Sequence, residues 1–164
     1  MFQPPHKTEL LCIYAHSSYN RNVYYNSEIE YMCEKNITMA TILIAEDNEM
    51  NLDMLSRRLE KRGHQIMVAT DGATGVEQAQ ANLPALILID MSIPIMEGWE
   101  ATRRLKSSSV THHIPIIALT AHAVAGDREK CLTAGCDEYE SKPIKFTELM
   151  VKINKILDIQ EAQR

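Results

Sequence analysis

Apolar residues along this chain fall into short blocks separated by polar ones. Ile42–Ala45 is an apolar run that ends in Glu46-Asp47. Leu52, Leu55 and Leu59 follow at helical spacing, and Gly63 stands where a helix C-cap belongs. Gln65–Thr70 alternates and predicts a strand, Asp71-Gly72 reads as an ordinary turn, and Ala73–Ala81 reads as a weaker helix containing Gly75. Ala85–Ile89 is continuously apolar, the pattern of a strand buried on both faces. Pro94 and Gly98 mark a loop before Trp99–Lys106, which has helical composition. Ile114–Leu119 is a second strand of the buried type. A helix over Val124–Ala134 closed by Gly135, a short strand over Glu138–Ser141, and a helix carrying Phe146, Leu149, Ile153 and Ile156 on one face complete the pattern. Five strands alternating with five helices predict a doubly wound α/β fold, a parallel sheet with helices on both faces.

Residues 1–38 do not share this order. Asn, Ser and Tyr are scattered through SSYNRNVYYNSE, and five of the six tyrosines lie between Tyr14 and Tyr31. The pattern changes abruptly at TMATILIAED. We expect a poorly ordered N-terminal extension over 1–38, with Met39 offering an alternative natural start. We expect one folded domain with a short C-terminal tail over 39–164.

Composition narrows the function classes. The 164 residues carry 17 basic and 22 acidic side chains, a net charge of −5. There is no basic stripe, so direct DNA binding is not expected. No apolar run reaches the 18 or so residues of a membrane span, and the first residues lack the basic and apolar regions of a signal peptide. The expected location is the cytoplasm. Cys12, Cys33, Cys131 and Cys136 show no CxxC spacing, which argues against zinc and for reduced thiols.

In an open α/β sheet, ligands bind beyond the C-terminal ends of the strands. The predicted strands end in Glu46-Asp47, Asp90, Thr120 and Lys142-Pro143; the second ends in Thr70-Asp71. Taken singly, each of these residues has a structural explanation. Asp47 could cap a helix, Thr120 could be a β-branched strand residue, and Lys142 could be a solvated charge. Together they place three carboxylates, a hydroxyl and an ammonium on one rim. Clustered carboxylates need a cation to stay ionised, and hard oxygen donors suit Mg²⁺. A carboxylate such as Asp90 can then act as a nucleophile toward a phosphoryl group.

The set Glu46-Asp47-Asn48, Asp90-Met91-Ser92-Ile93-Pro94, Thr120-Ala121 and Lys142-Pro143 resembles the CheY-like receiver domain of two-component response regulators. The intervals are 43 residues from Asp47 to Asp90, 30 to Thr120 and 22 to Lys142, and the likeness runs from about Ala40 to Ile159. The resemblance implies a flavodoxin-like (βα)5 fold with strand order 2-1-3-4-5. It implies that Asp90 accepts a phosphoryl group from a histidine kinase or phosphotransfer protein, the domain catalysing its own phosphorylation and dephosphorylation. Mg²⁺ would be held by Asp47, Asp90 and the Ser92 backbone carbonyl, with Glu46 acting through a metal-bound water. Thr120 and Lys142 would contact the phosphoryl oxygens, and Tyr139 would switch position with Thr120. The bond before Pro143 would be cis. Ser92 and His122 would set the lifetime of the phosphoryl group. The face of the fourth helix, fifth strand and fifth helix would bind a downstream protein, the chain being a monomer or a phosphorylation-promoted dimer. Because the chain ends soon after the last helix, a stand-alone regulator is expected.

Glu46 stands where many members carry Asp, Lys145 takes the last helix's N-cap region, and Gly75 weakens the second helix. Three other readings compete with this one. A pseudo-receiver scaffold would work without phosphorylation. A haloacid-dehalogenase-like phosphatase would need a second Asp where Ser92 stands, and an FMN carrier would need a hydroxyl- and glycine-rich loop at Glu46-Asp47. The adjacent His112 and His113 make a poor metal pair, and Arg57, Arg58, Lys61 and Arg62 read as a solvated helix face.

Overall fold

A computed structural model describes residues 39–121 and 125–162. The strands are β1 (Thr41–Ala45), β2 (Gln65–Ala69), β3 (Leu86–Asp90), β4 (Ile116–Thr120) and β5 (Glu138–Ser141). The helices are α1 (Glu49–Glu60), α2 (Gly72–Asn82), α3 (Gly98–Ser107), α4 (Ala125–Ala134) and α5 (Phe146–Ala162). All four strand pairs are parallel, in the order β2-β1-β3-β4-β5. This is the expected flavodoxin-like arrangement.

Side-chain alternation along the central strands divides the core in two. Leu43, Ala45, Ile87, Ile89, Ile116 and Ala118 face one side, where Ala79, Ala101, Leu105 and Cys131 of α2, α3 and α4 cover them. Ile42, Ile44, Leu86, Leu88, Ile117 and Leu119 face the other, under Leu55, Leu59, Leu149, Ile153 and Leu157 of α1 and α5. Strands β3 and β4 are buried throughout, which explains their unbroken apolar sequence. Burial raises the Cys136 thiol to about 12, Cys131 nearby adding to the effect.

Two boundaries differ from the sequence pattern. Asp71 caps α2 rather than forming an ordinary turn: its carboxylate accepts from the Thr74 N–H at 2.8 Å and the Thr74 hydroxyl at 2.7 Å. Strand β4 starts at Ile116, not Ile114. Pro115 has no N–H to give, and the Ile116 N–H donates to Asp137 Oδ2 at 2.8 Å. Strand β3 ends at Asp90, as its sequence predicts, and the Asp90 backbone pairs with Leu119. Lys145 begins α5 firmly: its carbonyl accepts from Leu149 at 3.0 Å, and its ammonium pairs with Glu148 at 3.0 Å.

Two helical glycines have opposite surroundings. A Cβ on Gly75 would lie 3.5 Å from Ala45 Cβ and 3.8 Å from Ala69 Cβ, ordinary contact. A Cβ on Gly98 would lie 2.4 Å from the Asp90 carbonyl oxygen and 2.7 Å from Met91 Cα. Gly75→Ala should therefore stabilise the domain by about 0.5–1 kcal/mol, and Gly98→Ala should destabilise it by about 1–3 kcal/mol. Chemical denaturation of the two variants beside the wild type measures both.

His64 follows the α1 C-terminus, is 4% exposed, and has no hydrogen-bond partner on either ring nitrogen among the described residues. Burial, with Arg62 nearby, holds its pKa below the usual 6.5. The unfolded chain then binds the proton more readily, so stability is present above pH 6.5 and lost as the pH falls through that value. Denaturation midpoints at pH 7.5 and 5.5 should differ more for the wild type than for His64→Leu.

Candidate functional site

The strand register brings the site together. Ala45 pairs with Ile89, so Glu46 and Asp90 come at the same level on neighbouring strands. Asp90 pairs with Leu119, one residue before Thr120. Thr120 pairs with Ser141, one residue before Lys142. Each polar residue ends or follows its strand, so all of them reach the same C-terminal rim.

Glu46 is fully buried, Asp90 and Thr120 are each 4% exposed, and Asp47 is exposed. Carboxylate oxygens of Glu46, Asp47 and Asp90 all lie within 4.8 Å of one another. The Lys142 ammonium donates to Glu46 Oε2 and to Asp90 Oδ2, 2.8 Å each. Burial opposes the charge on Lys142, but the bonds to Asp90 and Glu46 outweigh it and hold its pKa above the ordinary lysine value. The Lys142 N–H also donates to the Thr120 carbonyl at 2.7 Å, and the Lys142–Pro143 bond is cis.

The remaining acceptor positions are partly filled by the backbone. Asp90 Oδ1 accepts from the Ser92 N–H at 3.0 Å. Glu46 Oε1 accepts from the Asn48 N–H and the Asn51 side-chain amide at 3.3 Å each. Asn48 also caps α1, accepting from the Asn51 N–H at 3.0 Å. Asn51 was not singled out from the sequence. The signal for it was the Asn48-x-x-Asn51 spacing directly after the acidic pair.

The segment between β3 and α3 is held against the rest of the domain at two points. Gly98 lies on the Asp90–Met91 backbone, and its N–H donates to the Met91 carbonyl at 3.2 Å. The Met96 carbonyl rests against Gly72, where a Cβ would come within 2.0 Å. Between these points the Met96 N–H donates to the Pro94 carbonyl at 2.7 Å, a three-residue turn centred on Ile95. Ile95 has φ +66° and is 85% exposed. A left-handed β-branched residue stores strain, here next to Ser92. Met91, Ser92, Ile93, Pro94, Ile95, Glu97 and the half-buried Trp99 line a shallow cleft along this segment.

Other singled-out residues lie elsewhere. Tyr139 is half-buried on β5 and packs against the α2–α4 side of the core. His122 and the extension over 1–38 lie outside the described residues. His112 and His113 meet edge to face at 5.7 Å, with the His112 ring nitrogen 3.1 Å from the Ser109 carbonyl. Arg58 and Arg62 stack over Phe146, 5.2 and 5.9 Å from its ring centre, joining α1 to the start of α5.

Chemically, three clustered carboxylates supply hard oxygen donors for one divalent cation, and the neighbouring ammonium and hydroxyl suit an anion bound beside it. No helix among the described residues is long and apolar enough to cross a membrane.

Comparison with known proteins agrees with this geometry. The family model of the response regulator receiver domain matches residues 42–154. The polar-differentiation response regulator DivK of Brucella anthropi is 35% identical over 117 residues, covering 71% of this chain and 95% of DivK. The receiver domain of a sensor histidine kinase from Pseudomonas aeruginosa PAO1, solved with a magnesium ion coordinated in its active site cleft, is 35% identical with a TM-score of 0.69. That match covers 74% of this chain and 99% of the other. The receiver domain of Saccharomyces cerevisiae Ssk1, crystallised with the histidine phosphotransfer protein Ypd1, is 27% identical with a TM-score of 0.69. It covers 74% of this chain and 91% of that one. The rim of acids that the register assembles is thus set in a fold shared with these proteins, and the chain belongs to the response regulator receiver domain family of two-component signalling.

Proposed function

We propose that this protein is a phosphoacceptor whose Asp90 carboxylate takes a phosphoryl group from a phosphohistidine of a histidine kinase or phosphotransfer protein. The observation that carries the reading is the Lys142 ammonium set 2.8 Å from both Glu46 and Asp90, within a cluster that also holds Asp47. An Asp90 oxygen attacks phosphorus, the P–N bond breaks, and the donor imidazole leaves. Asp47, Asp90 and the Ser92 carbonyl would hold Mg²⁺, with Glu46 reaching it through a water. When bound, the ion would screen the carboxylates and the phosphoryl charge from one another.

The chain's own residues do the rest. Lys142 can turn from the carboxylates to a phosphoryl oxygen without leaving the rim. The Ser92 N–H orients the acceptor carboxylate. Thr120 offers its hydroxyl to the phosphoryl group, and Tyr139 moves with it as a two-state element. Ser92 and His122 flank the line of an attacking water and set how long the phosphoryl group lasts. The α4–β5–α5 face passes the signal to a downstream protein. We place this activity in the cytoplasm, in a monomer or a phosphorylation-promoted dimer. Support comes from the residue set and from the relatives above.

With Mg²⁺ and acetyl phosphate, the wild type should take up one phosphoryl group per chain, and Asp90→Ala none, as read by intact mass. Uptake into Asp90→Ala would overturn the assignment of Asp90, and none into the wild type with either acetyl phosphate or beryllofluoride would favour a phosphorylation-independent scaffold.

Asp47→Asn should lose the Mg²⁺ response of Trp99 fluorescence. Lys142→Met should keep that response but slow phosphorylation by about 10²- to 10³-fold, the usual loss for one charge-stabilising donor.

A further inference from the structure

Among the described residues strand β5 is an edge strand, paired only with β4. An edge strand leaves backbone groups that a neighbouring strand would otherwise satisfy. At Tyr139 both groups are closed by side chains. Its N–H donates to Glu138 Oε1 at 3.1 Å, and its carbonyl accepts from the Lys152 ammonium at 2.5 Å. Lys152 reaches there from α5. The same ammonium lies 2.6 Å from Glu140 Oε2 and 5.3 Å from the centre of the Tyr139 ring.

These three contacts have different roles. Glu140 is 2% exposed, and a buried carboxylate keeps its partner because leaving it unpaired is costly. The carbonyl bond belongs to the backbone and does not depend on the ring. Both therefore fix the ammonium beside β5 whichever way the Tyr139 side chain turns. Only the cation–ring contact is sensitive to the ring, and it exists in the half-buried orientation seen here.

We propose that Lys152 is a positioning residue for Tyr139: anchored by the buried Glu140 carboxylate, it holds the ring in its half-exposed orientation and sets how readily the ring turns inward. The proposal rests on the reading of Thr120 and Tyr139 as the two-state element above. A contact made in one state alone shifts the equilibrium by its own strength, and by linkage shifts phosphoryl-analogue binding equally. Losing it should tighten that binding by about 2- to 5-fold, the range an exposed cation–ring contact carries.

The test uses the full chain labelled with 3-fluorotyrosine, the Tyr139 signal being identified by its loss in Tyr139→Phe. Lys152→Met removes the cation but strands Glu140, so the Glu140→Gln/Lys152→Met double variant is read beside it. Without any phosphoryl analogue, the ¹⁹F signal of Tyr139 should move in the double variant and stay in place in Lys152→Arg. With Mg²⁺, the double variant should bind beryllofluoride about 2- to 5-fold more tightly than the wild type, and Lys152→Arg should match the wild type. An unmoved signal, or unchanged affinity in a double variant with native circular dichroism, overturns the proposal. A wild type that does not respond to beryllofluoride overturns the phosphoacceptor reading instead. The Tyr139 signal in the double variant then still decides whether Lys152 holds the ring.

Discussion

Glu46 and Asp90 stand side by side out of water at the end of two neighbouring strands, and the Lys142 ammonium reaches both at 2.8 Å. Two carboxylates so placed repel each other unless a cation lies between them or beside them. The rest of the rim follows from meeting that condition. Lys142 must enter from β5, so β5 must pair with β4 in one register, and the Thr120 carbonyl fixes the register by accepting the Lys142 N–H. The other lone pairs must also be filled, which is the part played by Ser92, Asn48 and Asn51. A side chain that satisfies two acids in this way can also be drawn toward a third anion.

A second constraint is close backbone approach. Asp90 is aimed by the segment that follows it, and that segment sits where it does because Gly98 and Gly72 present no side chain to it. The strain at Ile95 is the counterpart of this arrangement. A turn pinned at both ends leaves its middle residue with a left-handed backbone, which isoleucine tolerates poorly. The placing of the Asp90 carboxylate thus depends on absent side chains as well as on the charged ones.

Much of this was legible in the sequence, for physical reasons. Central parallel strands are buried on both faces, so Ile42–Ala45 and Ile87–Ile89 had to be apolar without interruption. Strand ends converge by topology, so Glu46, Asp47, Asp90, Thr120 and Lys142 could be collected from their places after apolar runs. What could not be read was whatever is revealed only by the bonds made in the fold. Asp71 looked like a turn because its role as a cap is shown only by the bonds it accepts from Thr74. Ile114 looked like a strand residue because it is as buried as one, yet Pro115 delays the ladder. Glu140 and Lys152, on separate elements twelve positions apart, gave no pattern at all until the fold set them together.

The closed outer edge of β5 has a consequence for how the molecule behaves in a crowd. A strand whose outward donor and acceptor are already bonded to Glu138 and Lys152 offers another chain no template at that position. The charged Lys152 adds a desolvation penalty to any strand that tries to dock there. At Tyr139 the edge is therefore guarded against pairing with a strand of another chain.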